Sequence, residues 1–171
     1  MKNVKKIYLG KTRYIKDGIK MSEEFMKISC DDEKTAELLC KNGYYNQAVY
    51  YYIQSMEKYI KCYICKKVDV SKGYFATTLR ELGHSLDKSV DFFIEVMAGN
   101  DITLKQQIRK QLKENIFEGI IFSNVYNATR YPYYKEEGVY RIIDMSENDC
   151  KFLQEKYCAL KKYLKELYVR I

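Results

Sequence analysis

Residues 41–68, KNGYYNQAVYYYIQSMEKYIKCYICKKV, decide the fold of this chain. Apolar residues recur in this stretch at steps of three and four, the spacing of one stripe along an α-helix. The stripe consists of Val49, Ile53, Met56, Ile60 and Ile64. Tyrosines flank it on both sides, so more than half of the helix circumference is apolar. Such a helix must contact neighbours on several sides, and the stretch predicts the central helix of a bundle.

The bulk composition is that of one globular domain. The chain has 171 residues, of which 47% are hydrophobic and 31% charged, with one proline and eight glycines. This length is enough to bury a core without disulfides. No apolar run reaches the ~20 residues of a membrane span, and the N-terminus lacks the apolar centre of a signal peptide. We therefore expect a cytoplasmic protein whose six cysteines are free thiols.

The positive charge is concentrated at the N-terminus. Residues 1–20 carry seven Lys or Arg against one acidic residue, Asp17, so nearly all of the formal charge of +7 lies there. We interpret residues 1–30 as a basic arm or short docking helix. A basic arm attracts nucleic acid or an acidic partner. The alternative is a solvated terminus that only keeps the protein soluble.

Helical spacing with capping residues recurs on both sides of the central helix. Ser29, followed by three acidic residues, predicts the N-cap of a helix that ends at Gly43. Apolar spacing over residues 79–97 predicts one continuous third helix. Thr103 with Gln106 has the form of a capping box and predicts the start of a fourth.

The C-terminal third combines a loop with a strongly periodic helix. Residues 127–144, NATRYPYYKEEGVYRIID, contain the single proline and predict an ordered loop. From Ser146 onward, apolar residues form a narrow seam that could pack on the bundle or on a second copy of the chain. The predicted helices together indicate an all-α bundle.

The chain has only one histidine, His84, which excludes active sites that are built from several histidines. Cys62 and Cys65 lack a second ligand pair at the spacing that a zinc site needs. The chain contains no glycine-rich phosphate loop, no GxSxG elbow and no HExxH motif. We expect neither a metal nor another cofactor.

Arg80 and His84 form the first candidate site. They are four positions apart, which on a helix places them on one face. A guanidinium can hold phosphate, and an imidazole can move the proton of a ribose 2′-hydroxyl, so the pair suits nucleotide binding or RNA cleavage. The alternative is an ordinary polar helix face.

A second candidate site lies in the loop that contains Asn127, Arg130 and Tyr131. Aromatic side chains beside an arginine suit base stacking and phosphate contact. A tyrosine-rich loop can equally be a structural lid over the end of a bundle.

Three segments, taken together, resemble the HEPN domain, a helical family named for nucleotide binding in higher eukaryotes and prokaryotes. The segments are ELLCKNGYYNQAVYYYIQSMEKYIKCYI (37–64), LGHSLDKSVDF (82–92) and NATRYPYY (127–134). The matching features are Ala48, Gln54, Glu57 and Lys61 on the long helix, the Gly83-His84 pair at the next helix, and the loop Arg130-Tyr131-Pro132.

The resemblance covers about residues 31–171 and implies an all-α, up-and-down bundle of four to five helices. In this family such a bundle is commonly a homodimer and occurs in toxin–antitoxin and antiviral systems, often beside a minimal nucleotidyltransferase. Its active members are metal-independent ribonucleases that use an arginine and a histidine, separated by four to six intervening residues, in a late helix. This sequence has no histidine after His84, so its late helix cannot hold that motif.

Three hypotheses follow from these observations. The first is a HEPN-type protein that binds a nucleotide or RNA, or pairs with a nucleotidyltransferase, without the usual ribonuclease motif. Its site residues would be Arg80, His84, Asn127, Arg130 and Tyr131. The second is an active ribonuclease in which Arg80 and His84 are catalytic and His84 is the general base. The third is a protein-interaction module that binds no nucleotide.

Overall fold

The computed structural model describes residues 10–11, 14, 18–69 and 72–170 and is a helical bundle with one β-hairpin. The helices are α1 (Gly18–Lys41), α2 (Tyr45–Lys67), α3 (Gly73–Glu81), α4 (Leu86–Ala98), α5 (Ile102–Arg109), α6 (Phe122–Ala128) and α7 (Glu147–Arg170). A π-helical segment, Lys110–Ile116, directly continues α5, and strands β1 (Tyr133–Glu136) and β2 (Val139–Arg141) pair antiparallel. The predicted helical bundle is confirmed, and residues 1–9, 12–13 and 15–17 of the basic arm lie outside the described residues.

Helix α2 is the centre of the molecule, as predicted. Its apolar stripe is almost completely buried, from Val49 to Ile64. It packs against α1, α4, α6 and α7. Burial on several sides explains why the sequence is apolar around most of this helix.

Helix α1 is longer than predicted. The chain turns from α1 into α2 at Gly43, whose φ of +78° favours glycine. Ser29, however, is not an N-cap: it is completely buried in the middle of α1, and its hydroxyl donates to the Ser55 carbonyl at 2.9 Å. The prediction was wrong because the partner of Ser29 lies on α2. Helix α1 also runs without a break across residue 30, where the arm was expected to meet the bundle.

The predicted continuous helix over residues 79–97 is also wrong, because α3 and α4 are separated by a turn at residues 82–85. Gly83 has φ +56°, a conformation that other residues rarely adopt. Ser85 then caps α4, and its hydroxyl accepts the Lys88 amide at 3.3 Å. The turn directs the segment around Gly83 back toward α2.

The start of α5 also differs from the prediction. The N-cap is Asp101, whose carboxylate accepts the Leu104 amide at 2.9 Å, and not Thr103. An aspartate two residues earlier provides the same kind of cap. Helix α6 follows and is held at its start by Asp87 of α4, which accepts the amides of Phe122 at 3.1 Å and Ser123 at 2.8 Å.

Residues 127–144, predicted as a loop, contain the β-hairpin. Tyr134 and Tyr140 lie opposite each other with ring centroids 5.8 Å apart. After the hairpin, Asn46 fastens the chain to α2: its amide donates to the Ile143 carbonyl at 3.0 Å and accepts the Met145 amide at 2.7 Å. The hairpin itself is exposed to solvent along its whole length.

Helix α7 confirms the prediction made for the C-terminal segment. The side chains of its seam are buried: Cys150, Leu153, Tyr157, Leu160, Leu164 and Leu167. The helix packs on α2 of the same chain, so the seam is covered within the bundle. No helix in the described part of the chain is long and apolar enough to cross a membrane.

Candidate nucleotide-binding site

Three buried polar residues interrupt the apolar surface of α2. Gln54, Glu57 and Lys61, here called the α2 polar stripe, lie on one helix face and are at most 5% exposed. Tyr50 lies one turn before Gln54 on the same face. Buried charges are rare unless they are paired, so the contacts of this stripe are informative.

Glu57 and Lys61 neutralise each other. The Lys61 ammonium lies 2.5 Å from Glu57 Oε1 and also donates to the Gly83 carbonyl at 2.5 Å. Gln54 Nε2 donates to Glu57 Oε2 at 3.2 Å. The left-handed conformation of Gly83 thus gives Lys61 a partner in the turn between α3 and α4. This contact ties the turn to α2.

His84 follows directly and lies at the surface end of the stripe. Its side chain is 72% exposed, and Nδ1 lies 3.9 Å from Glu57 Oε2. This distance exceeds that of a hydrogen bond, but catalytic contacts often shorten only when substrate binds. A buried carboxylate behind an exposed imidazole is an arrangement that orients the ring.

Arg130 lies at the other end of the site and is surrounded by tyrosines. Its guanidinium donates to the hydroxyls of Tyr126 at 3.1 Å and Tyr131 at 2.8 Å. It lies 5.6, 5.1 and 4.8 Å from the ring centroids of Tyr50, Tyr126 and Tyr131. We call these four residues the Arg130 cluster. Together with Gln47, Tyr51 and Thr129, three of them line a groove of about 430 Å³.

Tyr126 of the Arg130 cluster is held in its neutral form. Burial raises the pKa of Tyr126 to about 12, and its hydrogen bond to Tyr50 acts in the same direction. The charge of Arg130 lowers this pKa, whereas that of Glu57 raises it. Because Tyr50 of the Arg130 cluster lies one turn before Gln54, the cluster and the α2 polar stripe lie along the same face of α2. Tyr126 remains a neutral hydrogen-bond donor at physiological pH.

The structure brings only some of the predicted site residues together. Arg130 and Tyr131 are hydrogen-bonded neighbours, and His84 lies at the opposite end of the surface. Arg80 is exposed in the last turn of α3, before the break at Gly83, so it does not share a helix face with His84. The side chain of Asn127 lines a different pocket, between α6 and the hairpin.

Sequence reasoning did not assign Gln54, Glu57 and Lys61 to the site. The sequence did contain a signal for them. Polar residues spaced by three and four in an otherwise apolar helix predict a row of polar side chains within the core. Tyr50 and Tyr126 were also missed. Their ring centroids lie 5.1 Å apart, and no local sequence motif predicts this contact between α2 and α6.

The side chains of this site are of the types that contact phosphate, stack on bases and transfer protons. Arg130 supplies charge and hydrogen-bond donors, the tyrosines supply aromatic faces, and His84 supplies an exposed imidazole. Among the described residues, no group of three or more His, Cys, Asp or Glu side chains is arranged to hold a metal ion.

Comparison with protein families gives one match. The model of the HEPN domain matches residues 22–168, which is most of the chain and includes every residue of the site described above. Searches of curated proteins and of solved structures find no significant match. This chain belongs to the HEPN domain family and is therefore a helical protein associated with nucleotides or RNA.

Proposed function

We propose that this HEPN protein binds a nucleotide or RNA at the Arg130 cluster, with the bound molecule extending along α2 toward His84. The observation that supports the proposal is that the guanidinium of Arg130 is exposed and its charge is not neutralised, since among the described residues it forms no ion pair with a carboxylate. Its positive charge is therefore available for a phosphate.

The geometry of Arg130 suits this role. Two of the five guanidinium N–H groups are directed at tyrosine hydroxyls, which leaves others for a bidentate contact with phosphate. The flanking rings reduce the freedom of the side chain, so less entropy is lost when phosphate binds. Tyr131 is itself exposed and offers a face on which a base can stack.

The test is binding of fluorescent ATP and of a labelled RNA, followed by anisotropy. Arg130→Ala should weaken binding of both about tenfold or more, since charge-assisted hydrogen bonds to phosphate are lost. Arg109→Ala is the matched control, because Arg109 is an exposed arginine on α5 outside this surface. Equal binding by wild type and Arg130→Ala would remove the assignment.

A second candidate function is metal-independent RNA cleavage, which the exposed His84 beside Glu57 favours. His84 would accept the proton of a ribose 2′-hydroxyl while the 2′-oxygen attacks the adjacent phosphorus. The P–O5′ bond breaks, the 5′-oxygen leaves with a proton from water, and the products are a 2′,3′-cyclic phosphate and a 5′-hydroxyl. Glu57 would act as the positioning residue for the imidazole.

Cleavage can be tested separately from binding. With EDTA present, wild type should release fragments with cyclic phosphate ends, and His84→Ala should release none while still binding RNA. Arg80→Ala tests whether the exposed arginine of α3 contributes to the same reaction. Cleavage that persists in purified His84→Ala protein would exclude this mechanism.

The proposal extends to the biological setting. HEPN membership supports a minimal nucleotidyltransferase as partner, a role in toxin–antitoxin or antiviral defence, and a homodimer. A nucleotidyltransferase gene beside this one, and co-purification of the two products after co-expression, are the expected results. Light scattering of the purified chain measures the oligomeric state independently.

A further inference from the structure

A second pocket, containing an arginine and a tyrosine, lies on the other side of α6. It has a volume of about 260 Å³ and is formed by α6, the hairpin and the segment after it. We call it the hairpin pocket; it is lined by Asn124, Asn127, Ala128, Tyr133, Arg141 and Ile143. None of these residues belongs to the Arg130 cluster.

The strand register explains which side chains face the pocket. Tyr133 of β1 pairs with Arg141 of β2, so the two side chains lie on the same face of the hairpin. Tyr134 and Tyr140 form the next pair and lie on the opposite face. Each face of the hairpin therefore has its own aromatic group, and Tyr133 is the one that lines the pocket beside α6.

The residues of the hairpin pocket suit a nucleotide. Tyr133 is 63% exposed and can stack on a base, while Arg141 can contact a phosphate. Asn124 and Asn127 are one helical turn apart, and their amides can donate to and accept from base edges. These are the groups that single-stranded RNA-binding surfaces combine.

The two sites are joined through the end of α6. The Asn127 carbonyl accepts the backbone amides of Arg130 and Tyr131, both at 3.1 Å. The side chain of Asn127 lines the hairpin pocket, whereas Arg130 and Tyr131 line the groove. One short turn of chain thus separates two sites that each pair an arginine with exposed tyrosine.

We infer that the ligand is single-stranded RNA that occupies both sites, with one nucleotide at the Arg130 cluster and a neighbouring one in the hairpin pocket. This inference rests on the proposed function and names its ligand as a polymer. A mononucleotide fills one site only. A duplex does not fit, because its bases are paired and stacked and cannot reach the two tyrosine faces.

The experiment compares three labelled probes by anisotropy: ATP, a single-stranded RNA of ten nucleotides, and the same sequence as a duplex. Tyr133→Ala with Arg141→Ala should weaken binding of the single strand at least about tenfold and leave ATP binding unchanged. Tyr134→Ala is the matched control, because Tyr134 is an exposed tyrosine of the same strand on the opposite face. Arg130→Ala should weaken binding of both ATP and the single strand.

The remaining outcomes overturn either this inference alone or the proposed function with it. Loss of single-strand binding in Arg130→Ala but not in Tyr133→Ala/Arg141→Ala overturns this inference and leaves the proposed function intact. Loss of ATP binding in the hairpin variant, or equal affinity for duplex and single strand, also overturns it. If the wild-type protein binds none of the probes, the proposed function fails together with the inference.

Discussion

Helix α2 takes part in two buried polar networks that differ in where they end. Ser55 belongs to one that is closed within the core, and its neighbour Gln54 belongs to one that opens at the surface. In the closed network, the Ser29 hydroxyl lies 2.7 Å from the Tyr157 hydroxyl, and the Ser55 hydroxyl donates to the Ser29 carbonyl at 2.7 Å. Every member is buried and partnered, so this network fixes α1, α2 and α7 to one another.

The open network also begins at buried residues of α2, but it ends at the protein surface. Gln54, Glu57 and Lys61 are buried like the serines, but the carboxylate of Glu57 faces the exposed His84. A polar network with an end in solvent can be completed by a ligand, whereas a closed one contributes only to the fold. Burial alone therefore does not distinguish structural from functional polar residues, whereas access of the network to solvent does.

The largest expected effect is from Glu57→Ala. It leaves the Lys61 ammonium buried without its carboxylate, and breaking a buried pair in this way costs about 3–5 kcal/mol in the free energy of unfolding. Urea denaturation measures this, and Glu57→Gln, which keeps the shape and some hydrogen bonds, should lose less. A loss below ~1 kcal/mol for Glu57→Ala would mean that the charge pair is solvated in solution.

In the closed network, Tyr157→Phe should cost about 1–2 kcal/mol, because a buried hydrogen bond to Ser29 is lost. Nucleotide and RNA affinity should not change, since Tyr157 lies outside the Arg130 cluster and the α2 polar stripe. Denaturation and anisotropy on the same preparation test both statements. Weaker RNA binding in a folded Tyr157→Phe protein would contradict the division into two networks.

Gly83→Ala tests the turn that connects the open network to His84. A Cβ atom at this position meets no atom within 4 Å, so the cost comes from the positive φ alone and should be about 1 kcal/mol. Gly73→Ala is the control, because Gly73 has equal space and no positive φ. If the two variants have the same stability, the left-handed conformation at Gly83 is not required.

The smallest effect is expected from Tyr126→Phe at alkaline pH. The folded-state pKa of Tyr126 is raised from 10.0 to about 12, so its contribution to stability is present below pH 10 and lost as pH rises toward 12. Tyr126→Phe should therefore lose slightly less stability than wild type over this range. The difference should be small because Tyr126 is partly exposed to solvent. Unfolding midpoints at pH 8 and 11 test this, and a larger alkaline loss in the variant would reverse the sign.

Periodic hydrophobicity was sufficient to predict α2 and α7, because each helix has one continuous apolar stripe and this signal is local. It failed at Gly83 for a specific reason. The apolar residues of α3 and α4 stay in helical phase across the turn, so Leu79, Leu82 and Leu86 look like one face. Ser29 was misplaced since its Tyr157 partner is far away in sequence.

From the sequence, contacts within the candidate site could be predicted only between residues that are close together in the chain. Arg130 and Tyr131 are adjacent in sequence and also meet in space, whereas the contact of His84 with Glu57 depends on how α2 packs against the turn at Gly83. The hairpin had a local signal that was not used. Short tyrosine-containing runs flank Gly138, whose φ of +74° suits a tight turn between strands.

The hairpin lies between two anchors on the bundle. On one side, α6 is held by Asp87 and by the contact of Tyr126 with Tyr50; on the other side, Asn46 binds the backbone of Ile143 and Met145. Because both anchors are on long helices, the number of residues between them can change without altering the core. The hairpin is thus an exchangeable module. Variants with lengthened or replaced turns at Gly138 should keep the bundle while acquiring different ligand preferences.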